Sequence, residues 1–413
     1  MVHTLPGGIQ RLAVAAVILI AASAWHSTVT ADPIRVELVG TGDGWQLLRG
    51  GKPYFIRGAG GRASLEALAA AGGNSIRTWG ADDLDPLLDA AHALGLSVTV
   101  GIWLGHERHG FDYSDPKQLR EQKERARKAV LRYKDHPAVL LWGIGNEMEG
   151  FGAGDDPAIW KAVNEIAIMV KRLDPNHPTM TVTAELGGER VKGVQQLCPA
   201  IDIHGINSYG GAPSLNERYR AAGAHKPYVL TEFGAPGAWE VPKNDWGAPA
   251  ELTSTDKARF YRRSYERAVI GAPDLALGSY VFAWGHKMEA TPTWHGMWLS
   301  DGSQLAAVDV MTELWSGRPP PNRAPTVEPL IVEGDAQLDP GAKLRVRAVI
   351  ADPEGAAIRT RWVLLRESGE YATGGDARPV PPEVENAFVE TGRDGAVLRM
   401  PKDPGAYRLF VYA

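Results

Sequence analysis

The chain has 413 residues, 44% of them hydrophobic and 23% charged, with a formal net charge of -5 and a pI near 6.1. That length exceeds one ordinary globular domain and fits a barrel of 250–300 residues plus a smaller module. The mild acidity gives no electrostatic reason to bind nucleic acid or an anionic membrane surface. A single cysteine, Cys198, excludes an intrachain disulfide. It reads as a small packed residue rather than a nucleophile.

Residues 1–31 read as a secretory signal. Arg11 supplies a positive flank, 12–22 is an almost purely apolar run, and Val29-Thr30-Ala31 is a small-residue cleavage site before Asp32. The apolar stretch is short for a spanning helix, and no stable membrane insertion is expected once it is removed; an uncleaved N-terminal anchor is the alternative. Next comes a strand pair, 36–39 and 45–48, placed as a hairpin near the floor of whatever follows. Apolar runs of strand length then recur near 54–58, 75–79, 97–103, 139–143, 179–183, 201–207, 228–233 and 278–284. Between them lie stretches with helical spacing, such as 84–94, 119–133, 158–173 and 255–270. Ser64 is a cap for one helix, and Ser254 or Thr255 for another. Near-continuous rather than alternating apolar runs are what parallel strands covered by helices require.

Eight such units predict an α/β fold, a (β/α)8 TIM barrel over 32–317. The alternative is a doubly wound sheet with Gly58-Ala59-Gly60-Gly61-Arg62 as a phosphate turn. It lacks a convincing acidic ribose partner. A proline-rich linker, 318–326, leads to a last segment, 327–413, with strand-like stretches at 344–350, 358–365 and 407–412. This predicts a small all-β, immunoglobulin-like sandwich. With 407–412 so close to the end of the sequence, either the sandwich is short or it lacks a strand.

Two of the barrel runs end in a carboxylate: Trp142-Gly143-Ile144-Gly145-Asn146-Glu147 and Thr231-Glu232-Phe233-Gly234. In a barrel, strand tips form the active face. Glu147 just past the fourth strand and Glu232 at the tip of the seventh then meet across the mouth. Two facing carboxylates about 5–5.5 Å apart are the equipment for cutting a glycosidic bond with retention. Glu149 is an alternative acid to Glu147, though without a preceding Asn.

These segments resemble the glycoside hydrolase clan A of retaining β-glycosidases over about residues 50–316, and most closely the barrel of glycoside hydrolase family 2. The resemblance implies Glu147 as acid/base, Glu232 as nucleophile and Asn146 as the partner of the sugar 2-OH. It also implies that Arg77, in Ser75-Ile76-Arg77-Thr78-Trp79, steadies the nucleophile. Tyr209, in Ile203-His204-Gly205-Ile206-Asn207-Ser208-Tyr209, would touch it. Trp284, in Phe282-Ala283-Trp284, would be a platform under the sugar. Trp79, Trp103, His204, Asn207 and Trp294 complete the candidate substrate contacts.

Thirteen Trp divide between core and stacking platforms, since an indole face suits the C–H face of a sugar. Trp239 and Trp246 follow the seventh strand. His286, Lys287, Trp294, His295 and Trp298 follow the eighth. Such loops suggest subsites for more than one sugar, with a closed single-sugar pocket as the alternative. The 105–113 loop carries His106, Glu107 and His109. It reads as a polar rim for hydroxyls, not as a His-Glu-x-x-His metal helix.

The expectation is an exported, periplasmic or secreted enzyme hydrolysing a β-linked glucan or related oligosaccharide, with no cofactor and no metal. Transglycosylation by the same carboxylates remains open. So do a non-catalytic carbohydrate-binding barrel and an assembly protein that recruits partners through its sandwich.

Overall fold

In the computed structural model, which describes residues 32–369, 371 and 378–413, eight parallel strands close into a barrel. The signal-like segment 1–31 lies outside the described residues. A three-stranded antiparallel sheet comes first: β1 (Val36–Thr41), β2 (Gly44–Arg49) and β3 (Lys52–Pro53). Val36 and Leu47 pack with Ile56, Leu140, Ile203 and Val229, which lie early in their strands. The hairpin therefore plugs the floor of the barrel, as the sequence suggested.

The barrel strands are β4 (Ile56–Gly61), β5 (Ser75–Arg77), β6 (Ser97–Ile102), β7 (Val139–Asn146), β8 (Thr179–Ala184), β9 (Ile203–Asn207), β10 (Tyr228–Phe233) and β11 (Ala276–Trp284). They pair in chain order, and β11 closes on β4. Every residue of β6, β7, β9, β10 and β11 is buried, which accounts for the unbroken apolar runs. The glycines of β4 have a packing reason. A Cβ on Gly58 would lie 2.3 Å from the Tyr280 ring, and one on Gly60 would lie 2.9 Å from the Trp79 indole. The glycine-rich run is thus a barrel strand that lets large rings approach, not a phosphate turn.

Around the barrel lie α1 (Leu65–Ala70), α2 (Asp85–Ala93), α3 (Pro116–Tyr133), α4 (Pro157–Leu173), α5 (Arg190–Lys192), α6 (Leu215–Ala221), α7 (Ser254–Tyr265) and α8 (Ala306–Ser316). Asp115 and Asp156 cap α3 and α4, each with proline next. Ser64 caps α1 as expected. The cap of α7 is Thr253, one or two residues before the expected position, and its hydroxyl accepts the Asp256 N–H at 3.1 Å. Cys198 is buried, donates toward Trp160 O, and burial pushes its thiol up to about 12, so it is inert. No described helix is long and apolar enough to cross a membrane.

The remaining strands are β12 (Thr326–Val327), β13 (Ile331–Glu333), β14 (Lys343–Arg347), β15 (Ile350–Ala351), β16 (Arg361–Arg366), β17 (Phe388–Thr391), β18 (Gly395–Arg399) and β19 (Tyr407–Tyr412). They form a four-stranded antiparallel sheet, β13-β14-β18-β17, and the pairs β16-β19 and β12-β15. Leu344, Val346, Trp362 and Leu398 form the module's own core. The strand β19 pairs with β16 along its full length. The module is anchored to the barrel by Ala324 N–H on Asp309 Oδ2 (2.7 Å) and Val327 N–H on Thr255 Oγ1 (2.8 Å).

Candidate active site

The polypeptide turns sharply where β7 ends. Gly145 has φ +77°, and a Cβ there would meet Met148 Sδ at 2.1 Å. Two residues on, Glu147 itself sits at φ +53°, a left-handed conformation that an L side chain adopts at a cost of about 1–3 kcal/mol. The Glu147 N–H donates to Val182 O at 2.9 Å, which pins this bend to β8. The result aims the Glu147 carboxylate into a cavity of about 1060 Å³ at the C-terminal ends of the strands. Glu232, on β10, lines the same cavity.

The two acids are held differently. Glu232 pairs with Arg77, whose Nη1 lies 3.0 Å from Oε1. Trp79 Nε1 donates to the same oxygen at 2.7 Å, and Tyr209 OH donates to Oε2 at 2.7 Å. Glu147 receives one bond, from Asn207 Nδ2 to Oε1 at 2.7 Å. Burial, and then the negative charge of Glu232, push the Glu147 carboxyl up to about 7, against the bond from Asn207. A proton on Glu147 belongs on Oε2, since Oε1 is already an acceptor.

Arg77 and Asn207 tie the two acids into one network. Arg77 Nη2 donates to Asn146 Oδ1 at 2.6 Å, and its Nη1 also reaches Thr231 O at 2.9 Å. Asn207 Nδ2 reaches Asn146 Oδ1 at 3.2 Å, while its own Oδ1 accepts from Thr231 Oγ1 at 2.8 Å. With Oδ1 of Asn146 accepting twice, its NH2 is the group it offers the cavity, a donor suited to a sugar hydroxyl. Burial holds the Tyr209 hydroxyl far above its ordinary range, so it remains a donor to Glu232.

Arg77, Trp79, Trp103, Asn146, Asn207 and Tyr209 therefore gather around the two acids or line their cavity, as the sequence predicted. Three candidates do not serve as proposed. His204 is fully buried on the outer side of β9, bonded to Thr183 Oγ1 (3.0 Å) and Tyr219 OH (3.3 Å), and burial pushes it down to about 3. It is a neutral core histidine, not a substrate contact. Trp294 is buried with Ala238 and Ala290, and its Nε1 donates to Pro236 O. It braces the loops beneath the rim. Trp284 borders the cavity, but its indole has no exposed area and packs edge-on against Trp298, with Nε1 on Ser64 O. It offers no face to a sugar. Phe282 lies instead beneath the site, with ring contacts to Trp79, Tyr209 and His295. The pairing of β11 with β4 shifts register between Phe282 and Trp284, so residues two apart do not share an aspect.

Glu149, the alternative acid, is turned away from the cavity. It accepts the Ala184 N–H at 2.7 Å and Arg190 Nε at 2.9 Å. In the 105–113 loop, His106 stacks on Trp103 with centroids 4.8 Å apart and planes 3° from parallel. Among the described residues, no group of three His, Cys, Asp or Glu side chains is placed to hold a metal ion.

The rim includes residues the sequence reading passed over. Phe151 and Arg62 line the cavity, as do Arg378 and Val380 from the C-terminal module, while Arg108 lines it from the 105–113 loop that the sequence placed at the rim. Trp103, Phe151 and Trp239 are its exposed aromatics, at 47%, 73% and 46% exposure. Phe151 follows Glu147 closely, in the Gly-rich run 150–154, and an exposed aromatic in such a loop was the available signal.

The family model described as the TIM barrel domain of glycosyl hydrolases family 2 matches residues 88–240. A β-galactosidase of Pectobacterium atrosepticum is 29% identical over 122 residues, covering 29% of this chain and 11% of that protein. Among solved structures, the β-D-glucuronidase of Dictyoglomus thermophilum aligns with a TM-score of 0.52 at 20% identity, over 69% of this chain and 54% of its own. The Bifidobacterium dentium β-glucuronidase complexed with coumarin-3-O-glucuronide gives 0.55 at 20%, over 69% and 49%. A family 2 β-galacturonidase from Eisenbergiella tayi gives 0.53 at 16%, over 69% and 55%. The chain spans about half the length of these solved proteins, and at such identities the likeness shows the barrel fold. With the family match, the barrel of this chain is similar to the TIM barrel domain of family 2 glycosyl hydrolases.

Proposed function

We propose that this chain is a retaining β-glycosidase that cleaves a β-linked glucan or a related neutral oligosaccharide by double displacement. The observation that carries the reading is the unequal treatment of two acids in one cleft. Glu232 is ion-paired with Arg77 and oriented by Trp79 and Tyr209. Glu147, raised to about 7, keeps its proton in a substantial share of molecules at neutral pH. Acids whose environments differ in this way can divide the labour of nucleophile and general acid.

In the first step a Glu232 oxygen bonds to the anomeric carbon. The glycosidic bond breaks, and its electron pair leaves with the aglycone oxygen, which takes the proton from Glu147 Oε2. In the second step Glu147, now a carboxylate, removes a proton from water. The water oxygen bonds to the anomeric carbon and Glu232 departs, so the configuration is retained.

A neutral sugar is favoured by charge. Arg62, Arg108, Arg190, Lys287 and Arg378 in the cavity lining are matched in number by Glu147, Glu185, Glu232, Glu240 and Glu289, and Arg190 and Lys287 are ion-paired with Glu149 and Glu289. The exposed Trp103, Phe151 and Trp239 favour a substrate with more than one sugar. The same platforms would hold an acceptor sugar, and transfer to a sugar hydroxyl would use the same two carboxylates. Export to the periplasm or medium rests on the character of residues 1–31.

The test is turnover of a panel of aryl β-glycosides and β-glucans, with product anomers read by NMR. Retained configuration is expected, together with a loss of several orders of magnitude in kcat for Glu232→Ala and Glu147→Ala. Inverted product, or a near-wild-type rate in either variant, would overturn the reading.

A further inference from the structure

The C-terminal module does more than sit beside the barrel. Arg378 and Val380 belong to it, and both line the cavity that holds Glu147 and Glu232. Just beyond them the chain returns to the module's own sheet, where Val384 N–H donates to Leu364 O at 2.8 Å and Glu383 bridges to Leu365. On the other side, Tyr371 packs with Ala238, Val241, Ala290 and Trp294, on the loops that follow β10 and β11.

A second anchor fixes the register. Arg408, on β19, pairs with Glu367 of the module, Nε to Oε2 at 2.8 Å, and lies 3.7 Å from Glu251 of the barrel. Its Nη2 also donates to Pro249 O at 2.9 Å. Glu251 is paired with the buried Lys257 at 2.5 Å and accepts Thr293 Oγ1 at 2.7 Å. These charges are largely shielded from water, so removing one partner would leave another buried and unpaired, and the geometry that pairs them is strongly specified. An attachment of this kind holds a surface at a fixed place, which a merely tethered module would not.

Resting on the glycosidase reading, we infer that Arg378 and Val380 form a sugar subsite of the cleft, contributed by the C-terminal module. Val380 offers an exposed apolar patch to the C–H face of a pyranose. Arg378 carries five N–H donors on a planar guanidinium, enough to serve a protein partner and a sugar hydroxyl together. The occupant is a further unit of a neutral oligosaccharide, beyond the sugar gripped by the two acids. The module is thereby a determinant of chain-length preference.

The experiment compares affinity and turnover for monosaccharide aryl β-glycosides against di- to hexasaccharides of cello-, laminari- and galacto-type. The full chain is used as wild type, Arg378→Ala/Val380→Ala and Arg345→Ala, the last an exposed residue of β14 paired with Glu333. Binding is measured by calorimetry in a Glu232→Gln background, so it does not depend on catalysis. The double variant is expected to lose about tenfold in its preference for longer over shorter ligands, in Kd and in kcat/KM, as one packed and hydrogen-bonded contact would give. Arg345→Ala is expected to keep that preference, and unchanged thermal unfolding of the double variant shows that the module is still docked. Selective binding lost in the double variant, with no hydrolysis by wild type, would sink the glycosidase reading and uphold the subsite. Hydrolysis with an unaltered length preference in the double variant would do the reverse. Failure of every oligosaccharide to bind would overturn both.

Discussion

At the floor of the cleft each polar side chain is held by another: Glu232 by Arg77, Trp79 and Tyr209, Asn146 by Arg77 and Asn207, Glu147 by Asn207. All stand in or beside barrel strands. At the rim, Trp103, Phe151, Trp239 and Val380 stand exposed on loops, and one wall comes from a separate module. Pre-set hydrogen bonds suit a reaction whose charges develop at fixed atoms. Open aromatic and apolar faces suit ligands that vary in length and substitution. The difference implies that damage to the floor strikes kcat, while damage to the rim strikes KM and product pattern.

The sharpest way to break this contrast is at Arg77. A lysine there keeps the charge but cannot serve Glu232, Thr231 O and Asn146 together. Arg77→Lys is expected to lower kcat by about 100-fold, as a misplaced catalytic constellation does, with KM little altered. Steady-state kinetics on an aryl β-glycoside decides it; a pure KM effect would move Arg77 from the reacting centre to the rim.

A second test uses pH. The Glu147 carboxyl moves from 4.5 to about 7 on folding. Between those values the unfolded chain loses its proton and the folded one keeps it, so stability falls as pH rises across that window and then levels. The full change corresponds to about 3 kcal/mol. Glu147→Gln removes the slope. Denaturant titrations at pH 4.5 and pH 8 should show the variant gaining on wild type by up to about that amount. Parallel curves would mean that Glu147 titrates as an ordinary exposed acid. The activity profile should also lose its alkaline limb near 7 in this variant.

The smallest effect is expected at the rim. Trp239→Ala should raise KM for long oligosaccharides by about tenfold, at the scale of one lost stacking contact, with kcat on an aryl glycoside near wild type. A collapse of kcat would show that the T-shaped contact of Trp239 with Tyr209 transmits to the floor.

Glu147 and Glu232 were legible because barrel strands are buried on both faces and end where chemistry happens, whereas Arg77, Asn146 and Tyr209 were picked out by the resemblance to clan A. Arg77, Asn146, Glu147, Tyr209 and Glu232 all lie at or just past strand tips. The misreading of His204 was avoidable in principle: it is an odd number of residues from Asn207, so the pleat turns it away. Trp284 failed because a register shift, invisible in sequence, breaks that same alternation. Trp294 lies in a loop without period, where an indole can brace or stack with equal ease. Arg378 and Val380 were unreadable for another reason. Their placement depends on how two separately cored units meet, through Arg408, Glu251 and Tyr371, and no local pattern encodes that meeting.

The left-handed backbone at Glu147 has one more implication. Asparagine and glycine tolerate that conformation far better than glutamate does. Either would also remove a buried carboxyl that is crowded by its neighbour's charge. The position is therefore one where loss of activity is rewarded with a sturdier fold. A copy of this chain released from selection would drift downhill there, surrendering its acid long before its barrel.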